Sequence, residues 1–329
     1  MIPFEAASYR AQVARLRQVA LVGLAECDLK PERVRLVNHG ENATFDARVV
    51  GRDGKRRRVL VRVHRRNYQS SDAIEAEIAW LELLRRDLSI NVPRPIQSRS
   101  GRARLRLDGR GLDGPRDVVL FEWMEGSLIG TRKSSYVKEF ARLIARIHTH
   151  SEGNVEADSL ERWTVNSTSY AVGDPKWGTF DELERDDPEL AQVWRPVIDV
   201  AYPTALEIER SSKPLLCHAD LHAWNLLRVS DGDVGLIDFD DCGFAHPMMD
   251  CCVFLNQLEA GDVSQFWMAY REVRAIAEEH VAALPHFIAL RRLGSATWLN
   301  SRRKTNARLD RYWEAFRARS ADFANAWAP

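Results

Sequence analysis

The stretch that decides the fold lies in the second half of the chain and reads Leu216-Cys217-His218-Ala219-Asp220-Leu221-His222-Ala223-Trp224-Asn225-Leu226-Leu227. A second stretch, which begins twelve residues after Asn225, reads Ile237-Asp238-Phe239-Asp240-Asp241. Asp220 and Asn225 precede an apolar strand and Asp238 closes the next strand, so a hairpin would bring the three side chains together. Asp and Asn oxygens suit Mg²⁺ beside phosphate groups, and a further carboxylate can orient a hydroxyl and accept its proton.

These two segments resemble the catalytic loop and metal-binding segment of kinases, H-x-D-x-x-x-x-N followed by an aspartate on the next hairpin. They are most similar to the aminoglycoside phosphotransferase-like kinases, whose loop reads H-G-D-L-H-x-x-N and which include choline, homoserine and bacterial stress response kinases. The resemblance implies that Asp220 is the catalytic base and that Asn225 and Asp238 bind Mg²⁺. A single Asp or Asn in a loop is usually a turn former, but here spacing, flanking strands and the later aspartate agree.

Length and composition are those of an ordinary globular protein. The 329 residues allow roughly two domains, and 47 basic residues balance 47 acidic ones. A zero balance argues against nucleic acid or membrane partners that bind by bulk charge. Glu5 and Arg10 interrupt the N-terminal segment where a secretory signal needs an apolar core. Five scattered cysteines without a C-x-x-C pair fit reduced thiols, so we expect a cytoplasmic protein.

The first part of the chain alternates like a sheet with one inserted helix. After an amphipathic helix over 5–26, strands are predicted over 33–37, 44–50 and 57–64, and Asp53-Gly54 is a strong hairpin signal. Ser71 or Asp72 can cap a helix over 73–86. A second hairpin is predicted between 102–107 and 117–123.

From Tyr136 onward the periodicity becomes helical. Two short strand-like runs, 226–229 and 234–237, interrupt helices predicted over 136–150, 189–210, 247–259, 263–280 and 285–327. Together with the resemblance, this predicts an α+β chain with a two-lobed protein-kinase-like fold. Residues 1–123 would form a nucleotide-binding lobe of antiparallel sheet plus helix, and residues 124–329 a mainly helical catalytic and substrate lobe.

The resemblance also implies phosphate-binding residues in the first lobe. Gly40 and Asn42 lie in the loop 38–44, where the family covers the phosphates, although one glycine also fits a plain hairpin connection. Arg62 stands where the family pattern V-x-K-x-x-R has a phosphate-binding lysine. Arginine keeps the positive charge, but its guanidinium is bulkier than an ammonium group and extends to a different distance. We expect this difference to affect the catalytic rate more than nucleotide binding. A solvated strand position is the alternative for Arg62, because four other arginines lie near it in the sequence.

Two further features complete the implied nucleotide site. Glu77 fits the helix glutamate that pairs with this cation, and Glu75, on the nearly opposite helix face, is the alternative. Residues 122–126 resemble the hinge, where backbone groups of Glu122 and Met124 would bond adenine.

The acceptor region is basic. Residues 285–329 hold nine basic and three acidic residues, a net +6 that argues against a polycationic aminoglycoside as substrate. We therefore predict a phosphotransferase that uses ATP and Mg²⁺ to phosphorylate a hydroxyl of a small molecule. Two alternatives remain open. A loose likeness of residues 290–303 to stress response kinases allows a protein Ser/Thr acceptor, and the arginine at position 62 allows a catalytically weak nucleotide-binding scaffold.

Overall fold

The computed structural model describes residues 2–229, 233–304 and 306–328. The chain forms two compact units: the first holds residues 2–127, 229 and 235–240, and the second holds 128–228, 233–234, 241–304 and 306–328. Short 3₁₀ helices cover Gly130–Tyr136, Ala223–Asn225 and Phe239–Asp241. In chain order the other elements are α1 (Tyr9–Glu26), β1 (Lys30–His39), β2 (Ala43–Val50), β3 (Arg56–Val63), α2 (Ser71–Leu88), β4 (Arg104–Leu107), β5 (Arg116–Glu122), β6 (Ser127–Leu128), α3 (Val137–Ser151), α4 (Val155–Asp158), α5 (Ser167–Ala171), β7 (Gly173–Asp174), β8 (Gly178–Thr179), α6 (Phe180–Asp186), α7 (Pro188–Arg210), β9 (Leu215–Cys217), β10 (Leu226–Arg228), β11 (Val234–Leu236), β12 (Gly243–Ala245), α8 (Pro247–Leu255), α9 (Ala260–Arg271), α10 (Glu278–Ala282), α11 (Leu284–Arg303), α12 (Ala307–Asp310) and α13 (Trp313–Ala326).

A five-stranded antiparallel sheet forms the first unit, with the strand order β1-β2-β3-β5-β4. The predicted turn at Asp53-Gly54 joins β2 to β3, and Gly54 has a φ of +72°, a conformation that glycine adopts without a steric cost. Helix α1 packs its apolar stripe on the sheet, and their buried side chains form one core that includes Leu16, Val19, Ala20, Leu24, Phe45, Val61 and Leu120. The five predicted strands and the inserted helix are confirmed.

Helix α2 is capped by Ser70, so the predicted cap at Ser71 or Asp72 is wrong by one or two residues. The Ser70 hydroxyl accepts the backbone N–H of Ala73 at 3.0 Å, and Ser70 itself is extended. Asp72 instead lies in the first turn, where its negative charge stabilises the positive end of the helix dipole.

Helix α11 is the centre of the second unit and contacts α5, α6, α7, α8 and α13. Strand β9 pairs antiparallel with β12, with Cys217 opposite Gly243, and also contacts α3 and α8. This packing fixes the point at which the segment 218–225 leaves β9. Across the ranges that the structure describes, no helix is both long enough and apolar enough to cross a membrane.

Two predicted helices are each divided. The helix predicted over 263–280 ends at Arg271, and the one predicted over 285–327 ends at Arg303 and resumes in α12 and α13. Helical periodicity runs through both breaks, so tertiary packing decides them. Trp313 is buried at the start of α13, and the guanidinium of Arg303 lies 4.3 Å from its ring centroid, which fixes the return of the chain.

All five cysteines are free thiols, as expected for reduced residues, and all but Cys27 are buried. Burial raises the pKa of Cys252 to about 12, so this thiol stays protonated at neutral pH. The cysteines therefore act as small apolar core residues.

His246 caps helix α8 and supplies a test of the second unit. Its Nδ1 accepts the backbone N–H of Met248 at 3.2 Å, and the ring stacks on Phe287, with 4% of the residue exposed. Burial, followed by the nearby charges of His280 and His148, lowers the pKa of His246 to about 3. The unfolded chain therefore binds a proton below about pH 6.5 that the folded chain does not, and stability falls as the pH drops.

We expect the free energy of unfolding to fall by about 1.4 kcal/mol through this group between pH 7.5 and 5.5. The variant His246→Asn keeps a capping side chain without a titrating ring, so it should lack that part of the loss. Urea unfolding of both proteins at the two pH values measures the difference. Equal pH dependence would show that His246 is not held neutral.

Candidate active site

Arg62 lies inside the first unit on β3, with 4% of its side chain exposed. Its Nη1 donates to both carboxylate oxygens of Glu77 on α2, at 2.7 and 2.9 Å. Burial alone would lower the pKa of Arg62, but the charges of Glu77, Asp240 and Asp238 outweigh it and raise that pKa. Arg62 is therefore a buried permanent cation, and the alternative of a solvated strand position is wrong.

The two candidate glutamates of α2 have different surroundings. Glu77 is buried and pairs with Arg62, whereas Glu75 is about half exposed and accepts from Nε of Arg104 at 2.9 Å. Removing one partner of a buried ion pair leaves the other charge uncompensated. Arg62 and Glu77 therefore each depend on the other for a compensating charge.

Two more carboxylates lie beside Arg62. Asp238 Oδ1 is 3.5 Å from its Nη2, and Asp240 Oδ1 is 3.7 Å from its Nη1. With Glu77, these groups place three negative charges around one positive charge. Of the three carboxylates, Asp238 is the accessible one, with 58% of its side chain exposed. Hard oxygen donors with excess negative charge fit a divalent cation such as Mg²⁺.

Asp238 has a rare backbone conformation. Its φ is +66°, in the left-handed region where aspartate is better tolerated than most residues. The next residue, Phe239, is fully buried and packs edge-on against Trp80, with 5.3 Å between ring centroids. This buried ring anchors the segment, so the structure holds Asp238 in a conformation that the free chain would rarely adopt.

The loop 38–44 is tied to the same segment. Asn42 Nδ2 donates to Asp240 Oδ2 at 2.8 Å, and Asn42 Oδ1 accepts the backbone N–H of Arg65 at 3.3 Å. Gly40 is less constrained, because a Cβ built there would have Asn38 Nδ2, 3.6 Å away, as its nearest contact. Asn42 therefore orders this loop, whereas the packing does not require glycine at position 40.

The predicted hinge is partly occupied by hydrogen bonds of the first unit. The Glu122 N–H donates to the Arg94 carbonyl at 2.9 Å, and the Trp123 N–H donates to the Arg58 carbonyl at 3.1 Å. These two N–H groups are therefore not available to a nucleotide base.

In the second unit, buried Asp250 organises the loop that follows β9. Its Oδ2 accepts the N–H of His218 at 3.0 Å and its Oδ1 accepts the N–H of Ala219 at 2.6 Å. His148 Nε2 lies 3.1 Å from Oδ2, and its Nδ1 lies 2.8 Å from the Tyr270 hydroxyl. Ala219 has a φ of +65°, so Asp250 stabilises a loop conformation that alanine disfavours.

Asp220 follows this bend and lies among positive and polar groups. Its Oδ1 accepts from Nη2 of Arg291 at 2.7 Å, and its Oδ2 lies 3.4 Å from Nε2 of His222. Burial raises the pKa of Asp220, but the positive charge of Arg291 and the nearby His222 and His218 together hold that pKa below its usual value. Asp220 is therefore ionised at neutral pH.

Asn225 is buried at the end of the same loop. Its Nδ2 donates to the Asp220 carbonyl at 2.9 Å, and its own N–H donates to the His222 carbonyl at 2.8 Å. Because the amide nitrogen is used by the loop, the amide oxygen is the side-chain atom that can serve as a cation ligand. The structure thus brings Asn225 and Asp220 together in the second unit, and Arg62, Glu77 and Asp238 together in the first.

Arg291 is not predicted as a site residue from the sequence, where it stands only as one of the basic residues of the C-terminal region. A signal was present, because Phe287 and Gly294, one turn before and one turn after it, are on the buried face of α11. An arginine on a buried helix face needs a carboxylate partner. Asp220 is that partner.

The chain matches the model of the phosphotransferase enzyme family over residues 36–290. An uncharacterised protein from Deinococcus radiodurans is 27% identical over 317 residues, which cover 89% of this chain and 84% of the relative.

Several solved structures share the fold, among them two kinases. A microcompartment-associated aminopropanol kinase has a TM-score of 0.77 at 27% identity, covering 94% of this chain and 96% of its own. An amicoumacin kinase, solved with AMP-PNP and Ca²⁺, has a TM-score of 0.75 at 19% identity and covers 97% of this chain and 98% of its own. These likenesses confirm the predicted kinase-like fold.

Replacing Asp250 by Ala should lower the free energy of unfolding by about 3–5 kcal/mol, because it removes a buried charge that two backbone N–H groups and a histidine require. Urea unfolding measures the change. Asp322→Ala, at an exposed position of α13, is the matched control and should change stability by less than about 0.5 kcal/mol. If the two variants were equally stable, Asp250 would not be what holds the loop.

Proposed function

Since this chain belongs to the phosphotransferase enzyme family and has a kinase-like fold, we propose that it transfers the γ-phosphate of ATP, with Mg²⁺, to a hydroxyl of a small molecule. The observation that carries the proposal is the ionised Asp220 at the bend that Asp250 braces. The 27% identical aminopropanol kinase supports a small-molecule acceptor, and the amicoumacin kinase complex supports a nucleotide with a divalent cation. The basic C-terminal region disfavours an aminoglycoside.

In the first unit, we assign Arg62 to the nucleotide phosphates. The salt bridge to Glu77 orients its guanidinium, so little conformational entropy is lost when phosphate binds. Gly40 and Asn42 are assigned to the loop that covers the phosphates. The Glu122 carbonyl and the backbone of Met124 are assigned to the base.

In the second unit, Asp220 orients the acceptor hydroxyl. The hydroxyl oxygen forms a bond to the γ-phosphorus as the bond between that phosphorus and the leaving ADP oxygen breaks, and Asp220 accepts the hydroxyl proton. Because the pKa of Asp220 is low, it contributes more by positioning the hydroxyl than by removing the proton early. Asn225 and Asp238 are assigned as Mg²⁺ ligands, and a bound Mg²⁺ supplies charge that offsets the phosphates.

Replacing Asp220 by Asn should lower kcat by about 10²–10⁴-fold, because the acceptor hydroxyl loses its carboxylate. Nucleotide affinity should change little, as Asp220 contacts the acceptor. ADP release with a panel of sugars, amino alcohols, homoserine and other hydroxy compounds measures turnover, and calorimetry measures nucleotide binding. Asp322→Asn is the surface control.

Full activity in Asp220→Asn would refute the assignment of this residue. Labelled protein, rather than labelled small molecules, after incubation with labelled ATP and a cell lysate would support the protein kinase alternative. Tight binding of Mg·ATP without turnover of any acceptor would support the nucleotide-binding scaffold.

Replacing Asp238 by Asn should raise the Mg²⁺ concentration needed for half-maximal turnover at least about tenfold, because an amide is a weaker ligand than a carboxylate. Titrating Mg²⁺ at saturating ATP measures this shift. Asp262→Asn, a substitution in α9, serves as the control. An unchanged Mg²⁺ requirement would remove Asp238 from the cation site.

A further inference from the structure

Arg291 couples helix α11 to the proposed base. Its Nη2 donates to Asp220 Oδ1 at 2.7 Å, and 22% of each side chain is exposed. Part of each side chain is therefore exposed, although the Nε of Arg291 is buried. Because its partner Asp220 is the residue assigned to the acceptor hydroxyl, this cation belongs to the acceptor side of the proposed reaction.

The guanidinium of Arg291 is incompletely used. Its Nη1 donates to Ser295 Oγ at 3.2 Å, and its Nη2 bonds Asp220. Its buried Nε has no hydrogen-bond partner among the residues that the structure describes. The Nε and Nη2 of an arginine can together donate two parallel hydrogen bonds to one carboxylate. Here only Nη2 donates to a carboxylate, so this edge of the guanidinium is half used. A buried N–H of a charged group without an acceptor costs stability unless a ligand supplies the acceptor.

The ring of Tyr170 lies beside this cation. The Arg291 guanidinium carbon lies 5.8 Å from its ring centroid. The ring packs so closely on α11 that a Cβ at Gly294 would be 2.3 Å from Tyr170 Cδ1, so this approach requires glycine. Burial raises the pKa of Tyr170, so its hydroxyl stays neutral and the positive charge of this pair is that of Arg291.

We propose that Arg291 is the specificity residue of the acceptor site and binds a carboxylate of the substrate, so the enzyme selects hydroxy acids and hydroxy amino acids over the corresponding simple alcohols. This inference rests on the proposed kinase activity. A carboxylate on Arg291 lies next to Asp220, so a hydroxyl a few carbons away reaches the base.

A carboxylate fits this subsite better than an ammonium group. Asp220 and Arg291 neutralise each other, so the pair has no net charge of either sign and hydrogen bonding distinguishes the two ligands. The Nε–H is an unused donor, which a carboxylate oxygen can accept and an ammonium group, having no acceptor atom, cannot. The aminopropanol kinase and this chain would then share a fold and differ in the charge of the acceptor.

The test uses acceptor pairs that differ only by a carboxylate: L-threonine and 1-amino-2-propanol, L-homoserine and 3-amino-1-propanol, and L-serine and ethanolamine. For the full-length protein with Mg·ATP, we expect kcat/KM to favour the carboxylate member of the accepted pair by about 10–100-fold, the range for a charge-assisted contact. Arg291→Gln should reduce that ratio to near one, and Arg291→Lys should leave it in between.

Arg292→Gln is the matched control. Arg292 is the next residue of the same helix, but it donates to Asn256 Oδ1 at 2.6 Å and stacks on Phe323 at 4.1 Å. The Arg292→Gln variant should therefore keep the wild-type ratio of kcat/KM between the two members of the accepted pair. A residue that only positions Asp220 would lower turnover of both members equally and leave the ratio unchanged in Arg291→Gln.

The outcomes separate this inference from the proposed function. A wild-type preference for the amino alcohols, or an unchanged ratio in Arg291→Gln, overturns the carboxylate subsite and leaves the kinase activity standing. If no alcohol of any class releases ADP above the background of Asp220→Asn, the proposed function fails and the inference fails with it. Loss of the ratio in Arg291→Gln, with the ratio kept in Arg292→Gln, supports the subsite.

Discussion

The second unit depends on one buried carboxylate. Asp250 accepts two consecutive backbone N–H groups, from His218 and Ala219, and is held from the other side by His148. Hydrogen bonds to a buried charge are strong, and the charge is tolerated only because all of them are made. The direction in which Asp220 leaves β9 is thus set by a residue of α8 that itself need not touch a substrate.

The first unit uses charge in a different way. Its central cation, Arg62, is matched by more carboxylates than it can neutralise, and the accessible one, Asp238, is also the one with a left-handed backbone. The Nη1 of Arg62 donates to both oxygens of Glu77 while its Nη2 lies 3.5 Å from Asp238 Oδ1, so one side chain reaches both carboxylates.

Much of the fold could be predicted because local signals agree with the tertiary structure. The Asp53-Gly54 turn, the alternating strands and the stripe of α1 each specify their own element. The division of the C-terminal helix could not be predicted, since the burial of Trp313 decides it and no glycine or proline marks it. Arg291 was missed for a related reason: its partner Asp220 is 71 residues away in the sequence.

The left-handed bend at Ala219 has a consequence for how this position can vary. Its side chain is a single methyl group in a conformation that β-branched residues scarcely reach and that only glycine, and to a lesser degree asparagine or aspartate, adopts readily. Drift at this site is thus confined to a handful of amino acids by backbone stereochemistry alone. A position so restricted would look functionally selected in any set of related sequences, although the selection acts on a torsion angle.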